Sequence, residues 1–243
     1  MTTFIIYFVS IVAFVFTIIQ FFTGIPICLQ IYRQGHVGDI SGFPFLMGTL
    51  VLPFWLRYGF LRNDVMLISI NCAGIPIAVF NAMFFLYFSK PKKYYMTQLS
   101  IVTIIILTML MLIHFNPNVQ FLGFVCIVLN LITFGSPLAG LRVVLRDREV
   151  ITLPFVLCLV QLIVQCLWNL YGILIQDFFL VIPTAVGIMI SLVQLSLFLI
   201  FPRKRDGYSP MAKVARCVFG SSNNRKEVPD EPQKIVVESN TVY

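Results

Sequence analysis

The segment Trp55–Gly74, WLRYGFLRNDVMLISINCAG, is repeated as the segment Trp168–Gly187, WNLYGILIQDFFLVIPTAVG. Aligned without gaps, the two segments share a Trp, a Tyr-Gly pair, an Asp and a final Gly, and each shared residue lies 113 positions from its counterpart. The similarity continues weakly to FLYF at 85–88 and FLIF at 198–201, both followed by Pro and basic residues. So long an offset indicates the duplication of a whole folding unit.

The composition predicts that the chain resides in a lipid bilayer. Hydrophobic residues make up 59% of the 243 residues and charged residues 11%, against roughly 25% charged residues in soluble domains. The net charge of +7 comes from short basic clusters between apolar runs and from the last part of the chain. This placement is typical of anchoring at the inner leaflet and argues against nucleic-acid binding.

Seven apolar runs are long enough to cross a membrane, because a helix rises about 1.5 Å per residue through a hydrocarbon core of about 30 Å. The runs cover residues 4–32, 43–61, 65–88, 96–114, 120–144, 151–175 and 178–201. We therefore expect an all-α integral membrane protein with seven transmembrane helices.

The position of the repeat within these runs predicts the topology. Each copy contains three runs and the fourth run lies between the copies, so that four crossings separate equivalent points. Since four is even, both copies cross in the same direction and form parallel repeats in a 3+1+3 arrangement. We expect a first three-helix repeat at residues 1–93, a linking helix at 94–118, a second three-helix repeat at 119–205 and a disordered tail at 206–243.

The basic residues indicate the orientation of the chain. With the N-terminus outside or in a lumen, ten Lys and Arg residues before the tail flank the spans on the inner side. Only Arg57 and Arg62 then lie on the outer side. This excess predicts a cytosolic C-terminal tail.

Two facing three-helix repeats are expected to enclose a cavity near the membrane midplane. Trp55 and Trp168, the only tryptophans, are repeat mates, and Asn71 and Thr184 each follow their Trp by sixteen residues. Indole faces beside amide and hydroxyl groups suit the binding of a polyhydroxylated ring. The alternative interpretation is that both tryptophans anchor the protein at the membrane interface.

The middle of every span lacks Asp, Glu, His and Lys. An intramembrane ionisable group costs roughly 2.5–3.5 kcal/mol on insertion scales and normally serves ion or proton coupling. The absence of such groups predicts an uncoupled facilitator. The sequence also contains no nucleophile–base set, metal-ligand cluster or cofactor motif, so we expect neither enzyme activity nor a bound metal or cofactor.

Paired residues also predict a gate at the outer mouth of the cavity. Asp64 and Asp177 are placed to accept hydrogen bonds from Tyr171 and Tyr58 across the two repeats. The alternative interpretation is that both carboxylates are solvated helix caps.

Four prolines at related positions, Pro26, Pro44, Pro137 and Pro154, predict a bending point at the inner mouth. Each proline removes a backbone donor and weakens its helix locally. The alternative interpretation is the general enrichment of Pro in membrane helices.

Together these motifs resemble the SWEET family of sugar transporters over about residues 10–205. They are TGIPI at 23–27, FPF at 43–45, W..YG....D from 55 and from 168, IN..G at 70–74, SPL at 136–138, LPF at 153–155 and IP...G...SLVQL at 182–195. The resemblance implies bidirectional facilitative uniport of mono- or disaccharides by alternating access. It further implies a plasma-membrane or Golgi location and a tendency to form homo-oligomers.

The resemblance also implies the residues of the pocket and of the gates. The implied pocket consists of Trp55, Asn71, Trp168 and Thr184 with Val51, Val164, Asn130, Ile132 and Phe22. The implied inner gate consists of the four prolines with Gln194 and its repeat mate Asn81, and the implied outer gate includes Tyr58 and Asp177. The family usually has Asn where this chain has Thr184, so that one side of the pocket loses an amide.

Two other classes of membrane protein remain as alternatives. A seven-helix receptor offers no reason for the repeat, and the chain lacks Asp-Arg-Tyr after the third run and Asn-Pro-x-x-Tyr in the seventh. A proton-coupled amino-acid exporter of the PQ-loop type would need intramembrane acids, and the only Pro-Gln dipeptide is Pro232-Gln233 in the tail.

The last residues allow one further interpretation. The chain ends Asn-Thr-Val-Tyr, and a Thr two residues before an apolar terminal residue is compatible with strand addition to a PDZ-type domain. Such endings also arise by chance.

Overall fold

The computed structural model describes residues 2–38, 40–147 and 155–201 of the chain. The expected tail from residue 206, with its PDZ-type ending, and Pro154 of the expected inner gate lie outside the described residues. Within them every regular element is an α-helix. The helices are α1 Thr2–Phe22, α2 Ile25–Gln34, α3 Phe43–Arg62, α4 Val65–Phe88, α5 Lys92–Phe115, α6 Val119–Thr133, α7 Gly135–Asp147, α8 Phe155–Leu174 and α9 Phe178–Ile200.

These helices form seven segments that are long and apolar enough to cross a membrane. The first segment, Phe4–Gln34, combines α1 with α2, and the fifth, Val119–Arg146, combines α6 with α7. Each of the remaining segments is a single helix. The predicted all-α fold with seven transmembrane helices is therefore confirmed, with span limits within a few residues of the expected ones.

The first and fifth segments are each interrupted close to a proline. Thr23 and Gly24 separate α1 from α2 two residues before Pro26, and Phe134 separates α6 from α7 three residues before Pro137. Proline lacks the backbone N–H that would continue the hydrogen-bond ladder, so that a break just before it costs little. The breaks come at matching places in the two copies.

Pro44 behaves differently from the expected bending residue. It lies in the first turn of α3, which begins at Phe43, and a proline there removes no intrahelical hydrogen bond. In the described helices the interior prolines are instead Pro53 in α3, Pro76 in α4 and Pro183 in α9.

The shared YG....D motif forms the same tight turn in both copies. The Asp64 N–H donates to the Gly59 carbonyl at 2.9 Å, and the Asp177 N–H donates to the Gly172 carbonyl at 2.8 Å. The residue before each Asp has a left-handed backbone, with φ of 52° at one and 56° at the other. This geometry ends one helix and starts the next after two residues in the first copy and three in the second.

The glycine of this motif allows the two joined helices to pack closely. A Cβ added at Gly59 would lie 3.0 Å from Leu67 Cβ, and a Cβ at Gly172 would lie 3.0 Å from Leu180 Cβ. Backbone nitrogens of α4 and α9 also lie within 3.3 Å of these added atoms. The motif therefore produces the close pairs α3–α4 and α8–α9.

The helices pack within and across the two copies. In each copy the first helix lies against the third and the third against the second, as α1–α4–α3 and α6–α9–α8. Across the copies, α1 packs against α8 and α3 packs against α6. The linking helix α5 packs on α3 and α4, where Tyr95 stacks on Phe85 at 4.7 Å between ring centroids.

We predict that Gly172→Ala lowers the melting temperature of the detergent-purified protein. The added methyl group would meet α9 with little room to move, and overpacking of this kind costs about 1–3 kcal/mol. Gly140→Ala is the matched control, because a Cβ there has nothing within 4 Å. Equal melting temperatures for the two variants would contradict the close-packing role of Gly172.

Candidate functional site

A cavity of about 180 Å³ lies at the centre of the bundle, between the two copies. Six helices contribute residues to its wall, namely α1, α3, α4, α6, α8 and α9. Most of the wall is apolar, with a few amide and hydroxyl groups. The lining residues are Thr17, Gln20, Phe21, Val51, Leu52, Trp55, Leu67, Ile70, Asn71, Asn130, Val164, Gln165, Trp168, Leu180 and Thr184.

The two tryptophans lie in matching places on the cavity wall. Trp55 on α3 is 7% exposed and Trp168 on α8 is 9% exposed. Each ring stands edge-to-face with the tyrosine three residues later, at centroid distances of 5.5 Å to Tyr58 and 5.6 Å to Tyr171. Such burial disagrees with the alternative that both residues anchor the protein in the lipid headgroups, since belt residues face the bilayer.

The polar groups of the cavity are held by local hydrogen bonds. Asn71 Nδ2 donates to the Leu67 carbonyl at 2.7 Å, and Thr184 Oγ1 donates to the Leu180 carbonyl at 2.7 Å. Trp168 Nε1 donates to Thr17 Oγ1 at 2.9 Å across the α1–α8 contact. These bonds satisfy part of the hydrogen-bonding capacity in the middle of the membrane and fix the side-chain orientations.

The structure brings most of the expected pocket residues together. Of the nine, the cavity wall includes Val51, Trp55, Asn71, Asn130, Val164, Trp168 and Thr184. Phe22 and Ile132 are absent from the wall and are 50% and 47% exposed. Successive residues of a helix are rotated by about 100°, so that Phe21 faces the cavity where Phe22 was expected, and Ile132 lies almost opposite Asn130.

One end of the cavity is closed by two crossed hydrogen-bonded pairs; we call it the aspartate end. Tyr58 Oη donates to Asp177 at 2.9 and 2.7 Å, and Tyr171 Oη donates to both oxygens of Asp64 at 2.9 Å. Each tyrosine belongs to one copy and its aspartate to the other. Tyr58 is fully buried, and Asp177 is 2% exposed.

Both aspartates also cap a helix. Asp64 Oδ1 accepts from the Leu67 N–H at 3.0 Å, and Asp177 Oδ1 accepts from the Phe179 N–H at 3.0 Å. The two interpretations of these residues are therefore compatible, because each carboxylate caps its own helix and binds the tyrosine of the other copy. A negative charge at a helix N-terminus is favourable in itself.

Arg62 adds an ion pair that the sequence did not suggest. Its Nε lies 3.4 Å from Asp177 Oδ2, and its side chain is 41% exposed. This pair joins the end of α3 to the start of α9 and reinforces the same closure.

Towards the opposite end, where Pro26 and Pro44 lie in the first turns of α2 and α3, the cavity adjoins a second space of about 450 Å³. We call this end the proline end and the second space the vestibule. Gln20, Val51 and Leu52 line both spaces. The crossed Tyr–Asp pairs therefore lie at one end of the central cavity, and the vestibule adjoins it at the other.

The expected inner-gate residues are only partly gathered at the vestibule. Pro44 and Asn81 line it, whereas Pro26 is exposed outside its wall. Gln194 Nε2 donates to the Pro137 carbonyl at 3.4 Å, a contact within the second copy. Pro137 lines neither the vestibule nor the central cavity.

Several lining residues were missed from the sequence. Thr17, Gln20, Phe21 and Gln165 all line the cavity, and Gln20 Nε2 also donates to Gln161 Oε1 across the α1–α8 contact. The signal was present, since polar residues at spacings of three or four positions within a membrane span indicate one inward face of a helix.

The described lining residues include no charged side chain. Among the residues that the structure describes, no group of three His, Cys, Asp or Glu side chains is close enough to hold a metal ion. The cavity thus offers stacking surfaces and neutral hydrogen-bonding groups, which suit an uncharged, hydroxylated solute.

Comparison with known proteins matches the chain twice to one family, described as sugar efflux transporters for intercellular exchange. The matches cover residues 7–93 and 120–206, and both limits are displaced by the 113 residues that separate the sequence repeats. A solved structure of a eukaryotic SWEET transporter superposes with a TM-score of 0.73, covering 79% of this chain and 94% of that chain at 22% identity. This likeness shows the shared fold.

Two curated relatives extend the comparison. Sugar transporter SWEET1 of Caenorhabditis elegans is 44% identical over 236 residues, which are 93% of this chain and 79% of that protein. Bidirectional sugar transporter SWEET13 of Oryza sativa subsp. japonica is 28% identical over 203 residues, covering 79% of this chain and 69% of that protein.

We predict that Tyr58→Phe opens the aspartate end. The variant removes a hydrogen bond to a charged group, which is worth about 1.5–3 kcal/mol, and leaves Asp177 buried with fewer partners. Spin labels at Val65 and Phe178, both 74% exposed at the starts of α4 and α9, should report a new population at longer distance. Tyr7→Phe, at a tyrosine that is 67% exposed, is the control, and unchanged distances in Tyr58→Phe would contradict the closure.

Proposed function

This chain belongs to the SWEET family of sugar transporters, and on that basis we propose that it carries sugars across a membrane by bidirectional facilitative uniport. The observation that supports the proposal most directly is the central cavity, which lies between two parallel repeats and has the crossed Tyr–Asp pairs at one end and the vestibule at the other. Such a cavity can expose its occupant to one side of the membrane at a time, as alternating access requires.

The cavity wall fits the two chemical faces of a sugar ring. The C–H face of the ring would stack on the indoles of Trp55 and Trp168, and its hydroxyls would meet the amides of Asn71 and Asn130. Val51 and Val164 lie one turn before each Trp and narrow the cavity between them.

In alternating access, the aspartate end of the cavity would open when the proline end closes, and the reverse. In the arrangement described here the crossed Tyr–Asp pairs are formed, and the vestibule shares lining residues with the cavity. In the opposite state the pairs would separate and the proline end would close, with the breaks near Pro26 and Pro137 as bending points. Asn81, Pro44 and Gln194 would approach the closed gate in that state.

The neutral lining supports a mechanism without ion coupling. A proton-coupled exporter needs an ionisable group whose protonation is linked to substrate binding. The acidic residues Asp64 and Asp177 lie outside the lined cavity and are bound to tyrosines. No separate observation favours the amino-acid exporter, the receptor or an enzymatic reaction.

We further propose that the aspartate end faces the outside or a lumen and the proline end faces the cytosol. Arg33, Lys90, Lys92, Lys93 and Arg142 lie at the proline end of the described spans, and cytosolic flanks of spans are rich in Lys and Arg. This orientation puts the C-terminal tail in the cytosol. It does so whether the protein resides in the plasma membrane or in the Golgi membrane.

We predict that proteoliposomes containing the protein take up radiolabelled hexose until the internal and external concentrations are equal. Dissipating the pH gradient with a protonophore should leave the initial rate unchanged, because no lining group carries a proton across. A pH gradient alone should drive no accumulation above equilibrium. Uptake that collapses with the pH gradient, while the hexose gradient is intact, would reject uncoupled transport.

We also predict that Trp168→Ala and Asn71→Ala each lower hexose uptake about tenfold or more at subsaturating concentration. The first removes a stacking surface and the second removes an amide that faces the substrate. Leu170→Ala, whose side chain is 43% exposed on the same helix as Trp168, is the matched control and should transport normally. Full activity in both cavity variants would contradict the proposed binding site.

A further inference from the structure

Helix α8 carries a row of polar residues that its counterpart α3 lacks. Gln161, Gln165 and Asn169 follow one another at four-residue intervals and therefore share a face of the helix. Their repeat mates on α3 are Gly48, Leu52 and Leu56. Three amides in one membrane span are costly unless each has a partner.

Two of these three amides have protein partners. Gln161 accepts a hydrogen bond from Gln20 of α1. Asn169 Nδ2 donates to Thr184 Oγ1 and to the Val181 carbonyl, both at 3.0 Å. The remaining amide, that of Gln165, lines the central cavity and has no hydrogen-bond partner among the described residues.

The carboxamide of Gln165 lies against α9 at Gly187. A Cβ added at Gly187 would come within 2.7 Å of Gln165 Cδ, 2.9 Å of Nε2 and 3.0 Å of Oε1. In the first copy, the equivalent glycine, Gly74, leaves room for the ring of Phe21 instead, whose Cζ would lie 2.5 Å from an added Cβ. The same glycine position thus admits an amide in one copy and a phenyl ring in the other.

Thr184 cannot donate a hydrogen bond to a substrate from its present position. Its single hydroxyl proton is given to the Leu180 carbonyl at 2.7 Å, and the hydroxyl oxygen already accepts from Asn169. The second copy therefore faces the cavity with a hydroxyl whose only proton is engaged, where the first copy presents the amide of Asn71. Gln165 lies beside Gly187, three residues further along α9, which corresponds to about 4.5 Å towards the proline end.

We propose that Gln165 binds the sugar directly and supplies, from α8, the amide that Thr184 does not supply from α9. A carboxamide both donates to and accepts from a sugar hydroxyl, and a bound sugar would satisfy the one amide of the row that lacks a partner. The proposal rests on the sugar-transport function proposed above and assigns the substrate contact of the second repeat. It places that contact about one helical turn closer to the vestibule than the contact of Asn71.

The test compares hexose uptake kinetics of Gln165→Leu, which introduces the residue of the repeat mate Leu52, with the wild type. The half-saturating concentration should rise about five- to tenfold, as expected for the loss of one hydrogen bond to a neutral partner, while the maximal rate changes little. Cys166→Leu is the matched control, because Cys166 is an exposed neighbour on the same helix.

Competition by a series of monodeoxy hexoses separates direct binding from a structural role. The wild type should discriminate about five- to tenfold against the analogue that lacks the hydroxyl bound by Gln165, and Gln165→Leu should bind that analogue and the parent sugar equally. Thr184→Asn in the Gln165→Leu background should restore part of the lost affinity by returning an amide to α9.

Gly187→Ala provides a second variant that leaves Gln165 in place. The added methyl group would displace the flexible end of the Gln165 side chain rather than backbone, so the fold should persist while the affinity falls. Wild-type protein that moves no sugar would refute the transport function itself. Wild-type transport together with unaltered half-saturation and analogue discrimination in Gln165→Leu and Gly187→Ala would overturn the assignment of Gln165 alone.

Discussion

The crossed pairing of two tyrosines with two aspartates is the interaction on which the arrangement of the two copies depends. Each tyrosine reaches from one copy to the carboxylate of the other, so that the pairs hold the copies together only at the aspartate end. The buried carboxylate of Asp177 and the half-buried carboxylate of Asp64 remain tolerable because each accepts a helix N–H group and a phenolic hydroxyl at the same time. Away from this end, further hydrogen bonds join α1 of the first copy to α8 of the second, from Trp168 to Thr17 and from Gln20 to Gln161, and the cavity and the vestibule lie beside them.

The same short motif produces both this pairing and the helix geometry beneath it. Its tyrosine supplies the hydroxyl, its glycine permits the close packing of consecutive helices, and its aspartate caps the next helix. A tight turn with a left-handed residue holds the aspartate at a fixed distance from the tyrosine of its own copy. Because the motif is duplicated with one register, the two pairs form with closely similar distances at the same end of the cavity.

The two copies have nevertheless diverged inside the cavity. Trp55 and Trp168 occupy equivalent places, but Trp168 donates its N–H to Thr17 while α8 adds amides that α3 does not have. Thr184 is bound within its own copy, and the free amide of the second copy lies on the neighbouring helix. Duplication therefore specifies a symmetric frame, and the lining of the pocket departs from that symmetry through a few polar residues.

Much of the candidate site followed from the register of the repeat. Trp55, Trp168, Asn71 and Thr184 were found because equivalent residues of parallel repeats face the same central axis. Phe22 and Ile132 were misplaced, because the rotation of α1 and α6 about their axes is set by packing against α8 and α3, and an error of one residue turns a side chain by about 100°. Gln165 was missed because its repeat mate is an apolar leucine.

The sequence by itself determined the seven spans, the duplication and the parallel orientation of the copies, because these follow from bilayer thickness, helix rise and the parity of the crossings. Only the tertiary structure decided which end of the cavity is closed and which amides retain free hydrogen-bonding groups. It also decided which helices pack between the copies, namely α1 on α8 and α3 on α6. Those features depend on contacts between residues more than a hundred positions apart, such as Tyr58 with Asp177 and Thr17 with Trp168. The sequence contains both residues of each pair, but only the packing of the helices brings them within hydrogen-bonding distance.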